Sequence, residues 1–185
     1  MDRRTIKTRR VIRETFLTLL ETKGVGQITV AEITRLSDLG RGTFYLHYKD
    51  VFDLYNSIES ELCDDLVRLF DEAYPSSDPK NLIKFVDGMT RYMEQHRELF
   101  ILLSQQENKG QVFASINKAF IKKLLAEPPE VDSYGFDIVE AMFAVSGVVG
   151  VIEEWLVGEL PLSRRQLSRM MLKVLIRIPR KAWQR

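Results

Sequence analysis

Apolar positions recur at helical spacing along almost the whole chain. Between Thr5 and Thr22, the residues Ile12, Phe16, Leu19 and Leu20 fall on one helix face. Lys23-Gly24-Val25-Gly26 predicts its end, because glycine suits a C-terminal cap. Thr29 reads as the N-cap of a short helix to about Leu36, with Glu32 three residues on as in a capping box. Ser37-Asp38-Leu39-Gly40 breaks that helix, and a second short one is expected over about Arg41–His47. Asp50 is placed to cap a long helix whose stripe is Val51, Leu54, Ile58, Leu62, Leu66 and Leu69, continuing to about Ala73. Pro75-Ser76-Ser77-Asp78-Pro79 is the clearest break in the chain. Helices are then expected over about Lys80–Glu94, Arg97–Gln105, Gln111–Glu127, Ser133–Val157 and Arg164–Ile178. Asn108-Lys109-Gly110, Pro128-Pro129 and Leu160-Pro161 separate them. No stretch alternates at period two for long enough to predict a strand. The pattern predicts an all-α chain of about nine helices.

Composition narrows the function classes. A chain of 185 residues, 45% hydrophobic and 29% charged, can build its core without covalent staples. One cysteine excludes an intramolecular disulfide and fits a reducing compartment. Two histidines and that cysteine are too few for a zinc cluster. The longest charge-free apolar run, Ala141–Ile152, has twelve residues. A membrane-spanning helix needs about 20. The basic start MDRRTIKTRR is not followed by a signal-type apolar stretch. The expected location is the cytoplasm, with no membrane partner. No G-x-S-x-G, phosphate loop or H-E-x-x-H occurs. The pairs Asp64-Asp65 and Glu153-Glu154 are adjacent on helices, where neighbours point about 100° apart and do not converge. Catalysis, a metal site and a cofactor are therefore not expected. Cys63, beside Asp64 and Asp65, has no cationic neighbour to activate it and reads as a small packing residue.

The net charge of +1 conceals an asymmetry. Residues 1–49 hold ten Lys and Arg against five acids, a net of +5, and the remainder carries −4. A basic head on an acidic body suits a polyanion at the head. Within the head, Thr29–Asp50 (TVAEITRLSDLGRGTFYLHYKD) reads as two short helices joined by a tight turn, a helix-turn-helix. The second helix of such a unit can lie in a DNA major groove. Gly40, Gly42 and Thr43 allow close approach. Arg41, Thr43, Tyr45, His47, Tyr48 and Lys49 offer planar donors, hydroxyls and cations to bases and phosphates. Arg3, Arg4, Lys7, Arg9 and Arg10 form a cationic arm ahead of it. A helical hairpin with a few basic residues also occurs without DNA binding. Phe44 reads as core and Arg35 as solvated face.

The N-terminal unit resembles the TetR/AcrR family of bacterial regulators. Thr29-Val30, Ile33, Gly42-Thr43-Phe44-Tyr45, His47-Tyr48-Lys49 and Leu54 stand where that family's pattern has its matching residues, over about the first 60 positions. The sequence departs from the pattern at Ser37-Asp38, in place of Ala-Gly, and at Gly40, in place of a serine cap. Ser146–Met171 is similar to the last two helices of a subgroup with a dihydroxyacetone-kinase-regulator-type C-terminal domain. The resemblance implies a DNA-binding domain over residues 1–49 and a ligand-binding and dimerisation domain over 50–185. It implies contacts to a double-stranded operator through Thr29, Arg41, Gly42, Thr43, Tyr45, His47 and Lys49, to which the Tyr48 hydroxyl adds a further candidate.

The body must then explain dimerisation and sensing. Two heads about one DNA turn (roughly 34 Å) apart read a palindrome more tightly than one. Ala141, Ala144, Ser146, Gly147 and Gly150 permit close helix approach, and Leu167, Met170, Met171, Val174 and Ile178 make a stripe on the final helix. A homodimer through the last two helices is expected, although both features also fit intramolecular core. Met89, Tyr92, Met93, Phe100, Leu103, Phe113, Phe120, Met142, Phe143 and Trp155 are candidates to line a pocket for a small-molecule effector. The same stripes also fit plain core. His96, Gln105 and Gln106 could orient a polar group of an effector. The expected function is a dimeric repressor released from a palindromic operator by its ligand. The alternative is an adaptor or coactivator of the same fold that works through a protein partner.

Overall fold

The computed structural model describes residues 3–73, 79–106, 111–124 and 134–177. Among them are nine α-helices, one 3₁₀ turn and no strand. The helices are α1 (Arg3–Leu20), α2 (Val30–Leu36), α3 (Arg41–Tyr45), α4 (Val51–Ala73), α5 (Pro79–Gln95), α6 (Arg97–Ser104), α7 (Gln111–Leu124), α8 (Tyr134–Val157) and α9 (Arg164–Leu175). The all-α expectation holds. The first helix begins and ends two residues earlier than its periodicity predicts, and α3 stops at Tyr45. The expected breaks at 75–78, 108–110 and 128–129, and the expected ends at Glu127, Ser133 and Ile178, lie outside the described residues.

The chain divides into two compact units. The first holds residues up to Glu61 together with Gln105 and Gln106, and the second holds 62–104 and the chain beyond. The division thus falls inside α4, later than the expected domain limit at 49.

In the first unit, α1 buries Ile12, Phe16, Leu19 and Leu20, the face its spacing predicts. Ile33, Phe44, Leu54 and Ile58 complete a core of fully buried side chains. Gln106 reaches this unit: its Oε1 accepts a hydrogen bond from the Val25 amide at 3.1 Å. It is therefore a buried acceptor within the first unit. Glu59 is also buried here, 7% exposed, and its Oε1 accepts from the Tyr55 hydroxyl at 3.1 Å. Burial raises the Glu59 carboxyl above its ordinary value, and the Tyr55 hydrogen bond offsets part of that rise.

In the second unit, α5 packs on α9, and α7 packs on α6 and α8. Phe70, Phe85 and Phe120 meet edge to face, with centroids 5.3–6.0 Å apart. The turn between α8 and α9 uses Gly158 at φ 95°, a conformation that side chains disfavour. Trp155 Nε1 donates to the Leu162 carbonyl at 2.8 Å across that turn. Ser163 and Gln166 then form a capping box that starts α9. Arg164 pairs with Asp87 and, at 3.3 Å, with Glu94, holding α9 to α5. The Arg164 hydrogen bond, with Arg91 beside it, lowers the Asp87 carboxyl below its ordinary value.

Candidate nucleic-acid interface

Local chemistry sets each end of the α2–α3 pair. Thr29 Oγ1 accepts from the Glu32 amide at 3.2 Å and starts α2. At the other end Asp38 adopts φ 53°, and the Leu39 amide returns to the Thr34 carbonyl at 2.9 Å. This is a Schellman closure with Asp38 in the left-handed position, where glycine is usual. The departure at Ser37-Asp38 therefore preserves the turn and places a strained residue in it. Gly40 caps α3 with no side-chain hydrogen bond. Asp50 accepts from the Asp53 amide at 2.8 Å while Asp53 accepts from the Lys49 amide at 2.9 Å, a reciprocal cap that starts α4.

Phe44 anchors α3. It is fully buried, with Tyr45 and Tyr48 centroids at 5.6 and 5.8 Å. Burying such a ring contributes about 1.5–3 kcal/mol. The Leu46 amide bonds the Gly42 carbonyl at 3.2 Å, so α-helical geometry persists through Leu46. At about 100° per residue, Gly42 and Leu46 then point away from Phe44, and Thr43 and Tyr45 flank them.

The expected contact residues divide accordingly. Arg41, Gly42, Tyr45 and Lys49 are exposed, and Thr43 and His47 are half-buried. Thr29 is exposed, but its hydroxyl is engaged in the cap. Tyr48 is buried, and its hydroxyl accepts from Arg9 Nε at 3.3 Å. The Arg9 guanidinium also sits over the Tyr48 ring, 5.4 Å from its centroid. Arg9 and Arg13 both pair with Glu61, and Arg10 lies 3.7 Å from Glu14. Two of these cations, Arg9 and Arg13, thus brace the first unit instead of standing free on α1. Leu46 was not among the expected contacts, yet it is 82% exposed, the most exposed large apolar side chain described. Its position, two residues from the buried Phe44, was the sequence signal that could have found it.

The expected effector residues also separate. Met89, Met93 and Phe120 line an apolar cavity of about 40 Å³ in the second unit, with Phe70, Phe85 and Ile116. Phe100, Leu103, Phe113 and Trp155 are buried away from it, Phe100 stacking on Phe113 at 6.0 Å. The Tyr92 hydroxyl donates to Asp65 at 2.7 Å, and the Tyr92 ring lies 4.2 Å from that of His96. Met142 and Phe143 are 48% and 78% exposed, on the outer side of α8. Phe143 lines instead an open groove of about 220 Å³ along α8 and α9, with Gly147, Val151, Met170 and Val174. On α9 the expected stripe divides: Leu167 and Met171 are buried, and Met170 and Val174 are exposed. No grouping of acids, histidines or cysteine that could hold a metal occurs among the described residues. No described helix is long and apolar enough to cross a membrane.

Two short helices closed by a tight turn, the second anchored by one buried ring and open on its outer side, make a helix-turn-helix unit followed by a helical body. Comparison with solved structures places that fold among the TetR/AcrR regulators. The chain superposes on a TetR transcriptional regulator from Streptococcus agalactiae 2603V at a TM-score of 0.62 and 22% identity, covering 94% of this chain and 96% of that one. It superposes on the fatty acid degradation regulator FadR from Bacillus halodurans at 0.64 and 13% identity, over 92% and 95% of the two chains. The uncharacterized HTH-type transcriptional regulator YxbF of Bacillus subtilis (strain 168) is 30% identical over 124 residues, 65% of this chain and 32% of that protein. The chain thus spans about a third of the length of the curated relative it matches. No protein-family model matches. Each of these relatives is a regulator.

Proposed function

We propose that the protein is a TetR-type transcription regulator, a homodimer that presents one α3 helix to each half of a palindromic operator. The observation that carries this reading is the α3 surface. Phe44 faces the core while Arg41, Gly42, Tyr45 and Lys49 stay open to a partner. The Arg41, Tyr45 and Lys49 side chains suit base edges and phosphates, and Gly42 permits close approach. Dimerisation through α8 and α9 is supported by their uncovered apolar side chains, among them Phe143, Met170 and Val174. Patches of that kind mark interfaces.

The working form is a cytoplasmic repressor. Its effector is a small apolar molecule that enters the second unit at the cavity beside Met89, Met93 and Phe120. That cavity, about 40 Å³, is far smaller than effector sites, which run to about 300 Å³ or more. Effector binding therefore requires the lining to open. Only a ligand with different affinity for the two forms can shift the equilibrium between them.

The test is a mobility shift of the purified chain on DNA from upstream of its own gene, at two salt concentrations, beside Tyr45→Ala. The expected result is a specific shift that the variant loses. A dimer that neutralises about eight phosphates would show a slope of log affinity against log salt of about −7. A folded dimer that gives no specific shift at either salt would refute operator binding and favour the adaptor reading.

A further inference from the structure

We propose that Leu46 reads the 5-methyl group of a thymine in each half of the operator. The inference rests on the DNA-binding reading above and names one base contact within it.

An exposed leucine at 82% has no fold to stabilise where it stands. The geometry says where it points. The hydrogen bond from the Leu46 amide to the Gly42 carbonyl keeps helical geometry through this position. Leu46 therefore lies about 200° around the axis from the buried Phe44, one turn above Gly42. A Cβ placed on Gly42 would meet nothing within 4 Å. The outer ridge of α3 thus consists of a bare backbone and one leucine side chain.

The surroundings select the occupant. Arg41 and Lys49 are exposed on either side in sequence, where they can reach the phosphates of a polyanion. A major groove lined by base edges offers polar atoms at nearly every position. Its one apolar group is the thymine 5-methyl. A branched hydrocarbon at the tip of a groove-facing helix has no hydrogen-bonding role there, and a methyl contact removes both apolar surfaces from water.

The experiment uses a duplex selected from a random-sequence library by the full-length chain. Each thymine is then replaced in turn by deoxyuridine, which deletes only the methyl group. Affinity is read by fluorescence anisotropy for wild type, Leu46→Ala and Leu46→Met, with thermal unfolding as the control for fold. One thymine per half-site is expected to weaken wild-type binding about fourfold when demethylated, the worth of one buried methyl group. Leu46→Ala should bind the thymine duplex more weakly and lose that penalty, and Leu46→Met should keep it. Selection repeated with Leu46→Ala should lose its preference for thymine at that position. Tight, specific binding with equal deoxyuridine penalties in wild type and Leu46→Ala would overturn the methyl contact and leave operator binding intact. Failure to select any duplex would overturn both.

Discussion

Gly42 offers a perturbation in which stability and DNA affinity should move in opposite directions. It is the second residue of α3, and a Cβ built on it meets nothing within 4 Å. Gly42→Ala therefore introduces no clash in the free protein. It removes the entropic penalty of a glycine inside a helix, about 0.5–1 kcal/mol. For a chain of this size each kcal/mol is worth about 2–4 °C, so Tm should rise by about 1–4 °C. Since α3 has only five residues, the lower part of that range is expected. In the proposed complex the added methyl would stand between the α3 backbone and the bases. Overpacking a close interface costs about 1–3 kcal/mol. That corresponds to roughly a fivefold to hundredfold loss of affinity. Both quantities can be read on one preparation, by calorimetry and by anisotropy on the selected duplex. A fall in Tm would show that the space at Gly42 is not open. A rise in Tm with unchanged affinity would show that the Gly42–Leu46 ridge does not face DNA, and would refute the reasoning above.

Asp38→Gly should stabilise the protein by about 0.5–1 kcal/mol, because glycine meets no steric penalty at positive φ, and chemical denaturation would measure it. Glu59 sets a pH dependence. With its folded-state carboxyl raised, the folded form holds a proton that the unfolded form has released. Stability should therefore fall as pH rises from the ordinary carboxylate value of 4.5 through the raised one. Glu59→Gln should remove that decline, and urea unfolding of both proteins from pH 4 to 8 would test it; parallel curves would count against a buried, protonated Glu59. Val174→Glu or Phe143→Glu should leave the protomer folded and shift the species in analytical ultracentrifugation from dimer to monomer. An unchanged dimer would place the interface elsewhere.

Much of the α2–α3 geometry was legible because its determinants are local. The Thr29 cap and its Glu32 partner lie three residues apart, and the hydrogen bond forms as expected. Phe44 falls at the buried position of α3 because a five-residue helix has one inward site. The pairing of Tyr48 with Arg9 was not legible for the opposite reason. Both belong to types that bind DNA, but their hydrogen bond joins residues 39 apart in sequence. Only packing α1 against the segment after α3 brings them together.

The second unit shows the same division. Helical periodicity assigned apolar stripes to α5, α7, α8 and α9, yet a stripe records only that a face is apolar. Met93 and Phe143 are equally good pocket candidates by composition, and one is buried against a small apolar cavity while the other is 78% exposed. The sequence by itself determined the helices, the caps and the basic head, since hydrogen bonds and charge within a few residues decide them. The tertiary structure alone decided which arginines are already engaged, which apolar faces meet each other and which stay uncovered. Those outcomes depend on contacts between segments far apart in the chain, and no local pattern encodes them.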